Sequence, residues 1–219
     1  GIAKDHFTPE LIDKYISAFI NTQNIKSCVI GRDGRPSGKQ IALWVIDSLH
    51  KKGVNVDNCG LATTPTMQIM TEKENYDGGI VITASHNPSE YNGLKFLQND
   101  GTFLSPEQCE ELFKAVDQNI SVENSESLGV VSDYSTANKE HIHKVLSAKC
   151  IDVESVIQKK FTVVIDAVNG AGSYILPTLC EQLGCKVITM NCNGDGNFTR
   201  IPEPLAENLQ SLEKKVLEA

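Results

Sequence analysis

Ser85, His86 and Lys95 place a hydroxyl, an imidazole and an ammonium close together in one stretch of chain. Thr83-Ala84-Ser85-His86-Asn87-Pro88 follows the apolar run Gly79-Ile80-Val81-Ile82 and precedes Tyr91-Asn92-Gly93-Leu94-Lys95-Phe96. A short continuous apolar run reads as a buried strand, and in open α/β sheets ligands gather where such strands stop. Ser85 is therefore placed like a reacting group, with His86 and Lys95 as local candidates for general acid or base. A Ser/Asn/Pro turn that only reverses the chain is the plainer alternative for a lone Ser-His pair. A serine hydrolase does not fit. No Gly-x-Ser-x-Gly elbow surrounds Ser85, and neighbouring side chains in an extended segment point to opposite faces.

A second apolar run, Cys28-Val29-Ile30, ends in Gly31-Arg32-Asp33-Gly34-Arg35-Pro36-Ser37-Gly38, after which Ile41, Trp44, Val45 and Leu49 recur at helical spacing. The pattern is strand, loop, helix. Arginine suits an anion site because its rigid fork binds oxyanions bidentately. An Asp33 pair with Arg35 or Arg32 on the surface is the alternative, and it would contribute little.

Together these two loops resemble the α-D-phosphohexomutases, the phosphoglucomutase/phosphomannomutase family, whose phosphoserine loop matches the string around Ser85 with Asn92-Gly93 and Lys95. The second loop resembles the family's Gly-Arg-Asp-x-Arg-Pro-Ser-Gly element, with Gly34 where Thr is frequent. The resemblance implies that Ser85 is the phosphorylated nucleophile and donor, and that His86 and Lys95 are catalytic as general acid, general base or phosphate partner. It implies that Arg35 braces the phosphoserine loop or the phosphate, with Asn87 and Asn92 as further loop support. It also implies Mg²⁺, touched here only by Ser85 through a phosphoryl or hydroxyl oxygen, and a hexose 1,6-bisphosphate as activator and intermediate. Phosphoryl transfer fits these residue types, because it asks for positioning and charge neutralisation more than covalent work.

The implied reaction interconverts hexose 1-phosphate and 6-phosphate. Thr83, rather than Ser, before Ala84-Ser85 leans towards the phosphoglucomutase/phosphomannomutase branch. Phosphoglucosamine mutase is one alternative, and a non-catalytic Rossmann-like module that binds sugar phosphate is another. Full family members have four domains, whereas the resemblance here covers the first and most of the second. The Asp-Gly-Asp-x-Asp-Arg metal loop and the Gly-x-Arg-Gly arginine are not among these residues, so the 219 residues alone are expected to be inactive.

Length and composition agree with an enzyme of this kind. The 219 residues are 40% hydrophobic, enough for real cores. A formal charge of −8 offers no footprint for nucleic acid or an anionic membrane, so any phosphate must be bound locally. Seven cysteines without Cys-x-x-Cys read poorly as a disulfide framework or zinc site, and no apolar run suits a membrane span. The expected home is the cytoplasm.

The elements that must position the loops follow from periodicity. Thr8-Pro9-Glu10 caps a helix whose stripe is Leu11, Ile12, Tyr15, Ile16 and Phe19. Strand 28–30, helix 38–51, strand 54–61, a helix opened by Thr64-Pro65-Thr66 and strand 79–83 come next. Leu94–Phe96 and Thr102–Leu104 around Asn99-Asp100-Gly101 predict a hairpin, and Ser105-Pro106-Glu107-Gln108 predicts a capping box. Residues 121–135 turn polar, as in a linker or edge. Past them lie strand 161–166, a loop with Asn169-Gly170-Ala171-Gly172, a helix ended by Gly184, and strand 186–190. A dinucleotide fingerprint is the poorer reading, because only Gly170-x-Gly172 is present and the third glycine is missing. His141 and His143 do not share a helix face and receive no metal. Asp195 reads as a turn residue. This alternation predicts an α/β protein of two three-layer α/β/α domains with mixed, mostly parallel sheets, residues 1–135 carrying the Ser85 loop and 136–219 forming an incomplete second domain.

Overall fold

Helix starts are written in local polar chemistry. The Thr8 hydroxyl accepts a hydrogen bond from the Leu11 amide, Pro9 opens the first turn, and α2 (Pro9–Gln23) follows the small α1 (Ala3–His6). The computed structural model describes residues 1–74 and 76–219. The chain continues through β1 (Ser27–Arg32), α3 (Gly38–Lys51), β2 (Asn55–Leu61), α4 (Thr64–Lys73), β3 (Gly78–Ile82), β4 (Leu94–Gln98), α5 (Pro106–Asp117) and β5 (Val131–Asp133). Beyond these come α6 (Ala137–Leu146), α7 (Val153–Lys159), β6 (Thr162–Asp166), α8 (Gly172–Gln182), β7 (Lys186–Met190), a 3₁₀ turn at Ala206–Asn208 and α9 (Gln210–Glu218).

The first sheet has the order β4-β3-β1-β2-β5, with β4 antiparallel to β3 and the other pairings parallel. Strand alternation sorts its side chains into two cores. Cys28, Ile30, Ile80 and Ile82 face α2, α3 and α5, whereas Val29, Val81 and Leu97 face Met67 and Met70 of α4 and Ala137 of α6. These are three layers. The second sheet pairs β6 with β7 in parallel, with α8 and α9 packed on it.

One expectation meets a different outcome. Residues 102–104 do not form a full hairpin arm: β4 takes its ladder from β3, and the segment returns against β4 through the antiparallel Leu97–Phe103 bridge, with the Gln98 amide donating to the Thr102 carbonyl and the Leu104 amide to the Phe96 carbonyl. Of the two readings of the polar stretch, linker or edge, residues 131–133 take the second and add β5 to the edge of the first sheet. Cys28 is buried in the first core, whereas Cys180 is half-buried. The helices α1 and α7 are too short to show a period in the sequence.

Candidate active site

Because β1, β2 and β3 run parallel, the loops at their carboxyl ends open on one edge, and β3 delivers the Ser85 loop there. All of β3 is buried, and Thr83 just beyond it is buried as well. Its hydroxyl donates to Asp33 Oδ2 at 2.6 Å and accepts from the Ser85 amide at 3.0 Å. Ser85 itself is exposed, with φ +57. A serine in the left-handed region is strained and persists only where its surroundings hold it. The loop is therefore not the extended segment the sequence suggests; His86 still does not bond Ser85, because its ring turns to another partner.

Arg35 does the holding. Its side chain is fully buried, and its Nε donates to Asp33 Oδ2 at 3.0 Å. Nη1 donates to the carbonyls of Pro88 and Tyr91, and Nη2 to those of Ser85 at 2.9 Å and Asn87 at 2.6 Å. These bonds use every N–H of the guanidinium, so none is left for an incoming phosphate. Of the two roles open to Arg35, the geometry takes the loop brace. Nor is its pair with Asp33 a surface ion pair: the carboxylate is 15% exposed and also accepts from the Arg35 amide.

The two asparagines tie the same loop. Asn87 donates from its amide and from Nδ2 to the Ala84 carbonyl, at 3.1 and 2.8 Å. Asn92 is buried; its Nδ2 donates to Ser37 Oγ and its Oδ1 accepts from the Gly93 amide, both at 2.9 Å. Ser37 thus joins the Arg35 loop to the base of the Ser85 loop.

The second sheet closes the other wall of a cleft of about 400 Å³. Asp33, Thr63, Thr83, Ser85 and His86 line one side, and Val168, Gly170, Phe198, Pro202 and Pro204 the other. The β6 loop owes its shape to Asp166, whose buried carboxylate takes Arg200 Nε at 2.9 Å and the Val168 amide at 3.0 Å. Val168, at φ +50, is a β-branched residue in a costly conformation. The Phe198 ring covers the Arg35 guanidinium at 5.1 Å. Backbones meet directly at Gly34: a Cβ there would lie 2.8 Å from the Asn169 carbonyl oxygen, so glycine lets the two loops touch. His86 Nε2 lies 3.0 Å from Glu203 Oε2.

Lys95 stands apart from these groups. It pairs with Val81 across β3 and β4 and so shares that cleft residue's sheet face, but its ammonium lies over the Phe103 ring at 5.5 Å. It lines a separate, mainly apolar cavity of about 470 Å³ between α2, α5 and β4 that contains no residue of 83–92. Among the described residues no group of three His, Cys, Asp or Glu side chains could hold a metal ion. Ser85 with Asp33 nearby is too small a donor set for Mg²⁺, which wants six oxygens, so this chain does not by itself fit the ion.

The sequence points to no site role for Thr83, Ser37, Phe198 or Glu203, and offers Asp33 only as a surface partner of Arg35 or Arg32. Asp33 and Ser37 lie inside the motif around Arg35, which is a signal in the sequence; nothing in the strings that hold Phe198 and Glu203 points to the Ser85 cleft.

Comparison with known proteins adds the family. The family model for phosphoglucomutase/phosphomannomutase α/β/α domain I matches residues 1–123, and that for domain II matches residues 139–219. The chain belongs to this family. A phosphoglucomutase/phosphomannomutase of Thermococcus kodakarensis is 39% identical over 223 aligned residues, covering 96% of this chain and 47% of that protein. A phosphoglucosamine mutase of Methanococcus vannielii is 39% identical over 197 residues, covering 89% and 42%. The chain thus spans about half the length of the curated relatives it matches. Its fold superposes with TM-score 0.78 on a phosphoglucomutase/phosphomannomutase family protein from Burkholderia thailandensis, at 26% identity, covering all of this chain and 48% of that one. Parafusin, a Paramecium phosphoglucomutase in its open form, shares the fold at TM-score 0.73 and 19% identity, covering 96% of this chain and 45% of its own.

Proposed function

We propose that these residues belong to a phosphohexomutase that interconverts hexose 1-phosphate and hexose 6-phosphate through a phosphorylated Ser85 and a bisphosphorylated sugar. One observation carries the reading: an exposed serine in a left-handed conformation sits on a loop whose carbonyls a buried arginine gathers up. Few reasons exist to strain and brace a serine so heavily other than to present its oxygen.

In the proposed transfer a sugar hydroxyl oxygen bonds to the phosphorus as the Ser85 Oγ–P bond breaks. The hydroxyl proton passes to a base, and Oγ ends protonated. The second half returns a phosphoryl group from the bisphosphate to Oγ. His86, in the cleft, and Lys95, once moved off Phe103, are the groups proposed to handle protons or the phosphate. Mg²⁺ is proposed to meet Ser85 through a phosphoryl or hydroxyl oxygen, with its other ligands from outside these 219 residues. The hexose bisphosphate is the proposed activator, residues 1–135 and 136–219 are the proposed units, and seven free thiols support a cytoplasmic location.

The test is to incubate the parent protein with glucose 1,6-bisphosphate and map the phosphopeptide. Phosphate at Ser85, and loss of both label and turnover in Ser85→Ala, is expected. Label at another serine with none at Ser85 would overturn the reading and favour a binding module. The isolated 219 residues should not turn over glucose 1-phosphate. Because relatives carry both names, glucosamine phosphates belong in the same assay; equal or better activity with them would move the reading to phosphoglucosamine mutase.

A further inference from the structure

We propose that Glu203 positions His86 in the Ser85 cleft, fixing both the direction of the imidazole and which ring nitrogen carries hydrogen. The inference rests on the phosphohexomutase reading of that cleft. His86 is 59% exposed, and among the described residues its ring makes no hydrogen bond to its own loop; its polar partner is Glu203 Oε2, 3.0 Å from Nε2. An exposed imidazole without such a partner would sample several rotamers.

Glu203 is well built to be that partner. Pro202 and Pro204 flank it, each with φ held near −65° by its ring, and both line the cleft. The Glu203 carbonyl accepts from the Leu205 amide and from Asn208 Nδ2, both at 2.9 Å. Upstream, the segment is anchored to β6 through Arg200 and Asp166, and to the Ser85 loop through Phe198 over Arg35. The carboxylate is thus delivered by a backbone ordered independently of His86, so little conformational entropy is lost when the contact forms.

A carboxylate only accepts hydrogen bonds. Nε2 therefore carries the hydrogen that faces Glu203, and Nδ1 is left as an acceptor for a substrate hydroxyl or a water in the cleft. The carboxylate is 35% exposed, and a polar contact this open adds little stability. Its value lies in orientation, which gives the test its discriminating power.

The parent protein is compared with Glu203→Ala and Glu203→Gln, reading ring ¹⁵N signals of His86, identified by their loss in His86→Asn, together with kcat, KM and the denaturation midpoint. Wild type should show the Nε2–H tautomer. Glu203→Ala should show mixed tautomers and a kcat lower by about tenfold, a small part of what a positioned acid or base supplies, with KM and midpoint unchanged. Glu203→Gln, which keeps the reach and an acceptor oxygen, should recover most of the turnover. Unaltered ring signals or an unaltered kcat in Glu203→Ala overturns the proposal. If wild type carries phosphate on Ser85 and turns over while Glu203→Ala behaves identically, only this inference fails. If wild type holds the Nε2–H tautomer through Glu203 but neither takes phosphate nor turns over, the mutase reading fails and the positioning role falls with it.

Discussion

Arg35 makes five side-chain hydrogen bonds that tie Asp33 and the Ser85 loop together. A buried guanidinium is tolerable because Asp33 neutralises it and loop carbonyls take up its remaining hydrogens. Lysine would bring the charge without the planar fork. Arg35→Lys should therefore lower the unfolding free energy by about 3 kcal/mol, the low end of what breaking a buried pair costs, measured by urea denaturation. A loss under about 0.5 kcal/mol, the range of ordinary surface changes, would mean that the brace is dispensable. The motif around Arg35 was legible in the sequence. Its role was not, because residue type and spacing do not say whether a donor is already used.

At the scale of elements, α4 and α6 are joined by polar contacts at the rim of the cleft. Thr66 Oγ1 lies 2.9 Å from His141 Nδ1 and 2.8 Å from Thr63 Oγ1, and Thr63 lines the cleft as the N-cap of α4. Burial, and then Lys144, pull the His141 pKa below its ordinary 6.5. The folded state thus binds this proton less readily than the unfolded one. The contribution to stability is complete above about pH 6.5 and declines as the pH falls below it towards the lower folded value. Replacing His141 with Asn should flatten the fall in stability between about pH 6.5 and 5, above the range where carboxylates titrate. Unfolding curves at several pH values check this, and equal slopes for the two proteins would remove His141 as the cause. Helix starts such as the Ser105–Gln108 capping box were legible, since three or four neighbouring residues encode them. β5 was not, because a three-residue strand takes its identity from the β2 edge it joins.

Across the whole molecule, the cleft depends on loops from the two sheets meeting backbone to backbone. Gly196 has φ +72, its amide donates to the Asn169 carbonyl, and a Cβ on it would lie 2.1 Å from the Gly34 carbonyl oxygen. Gly196→Ala should cost at least the roughly 1–2 kcal/mol of a left-handed alanine, and the clash should part the two loops. Hydrogen exchange should then quicken at the residue 196 amide and at the loop amides of Asp33 and Arg35. Unchanged exchange there would show that the first unit holds its loop unaided.

Local chemistry settled much in advance: the caps, the apolar periods of strands and helices, and the Ser85 and Arg35 strings are readable from neighbours in the chain, as is the resemblance those strings carry. Tertiary structure alone decided that Arg35 spends its hydrogens on the loop, that Lys95 rests on Phe103, and that Phe198 and Glu203 reach the site. The reason is physical. Hydrogen-bond saturation, the direction a side chain takes, as for Lys95 over Phe103, and contact between segments more than a hundred residues apart are properties of the packed chain, and no local pattern of residue types encodes them.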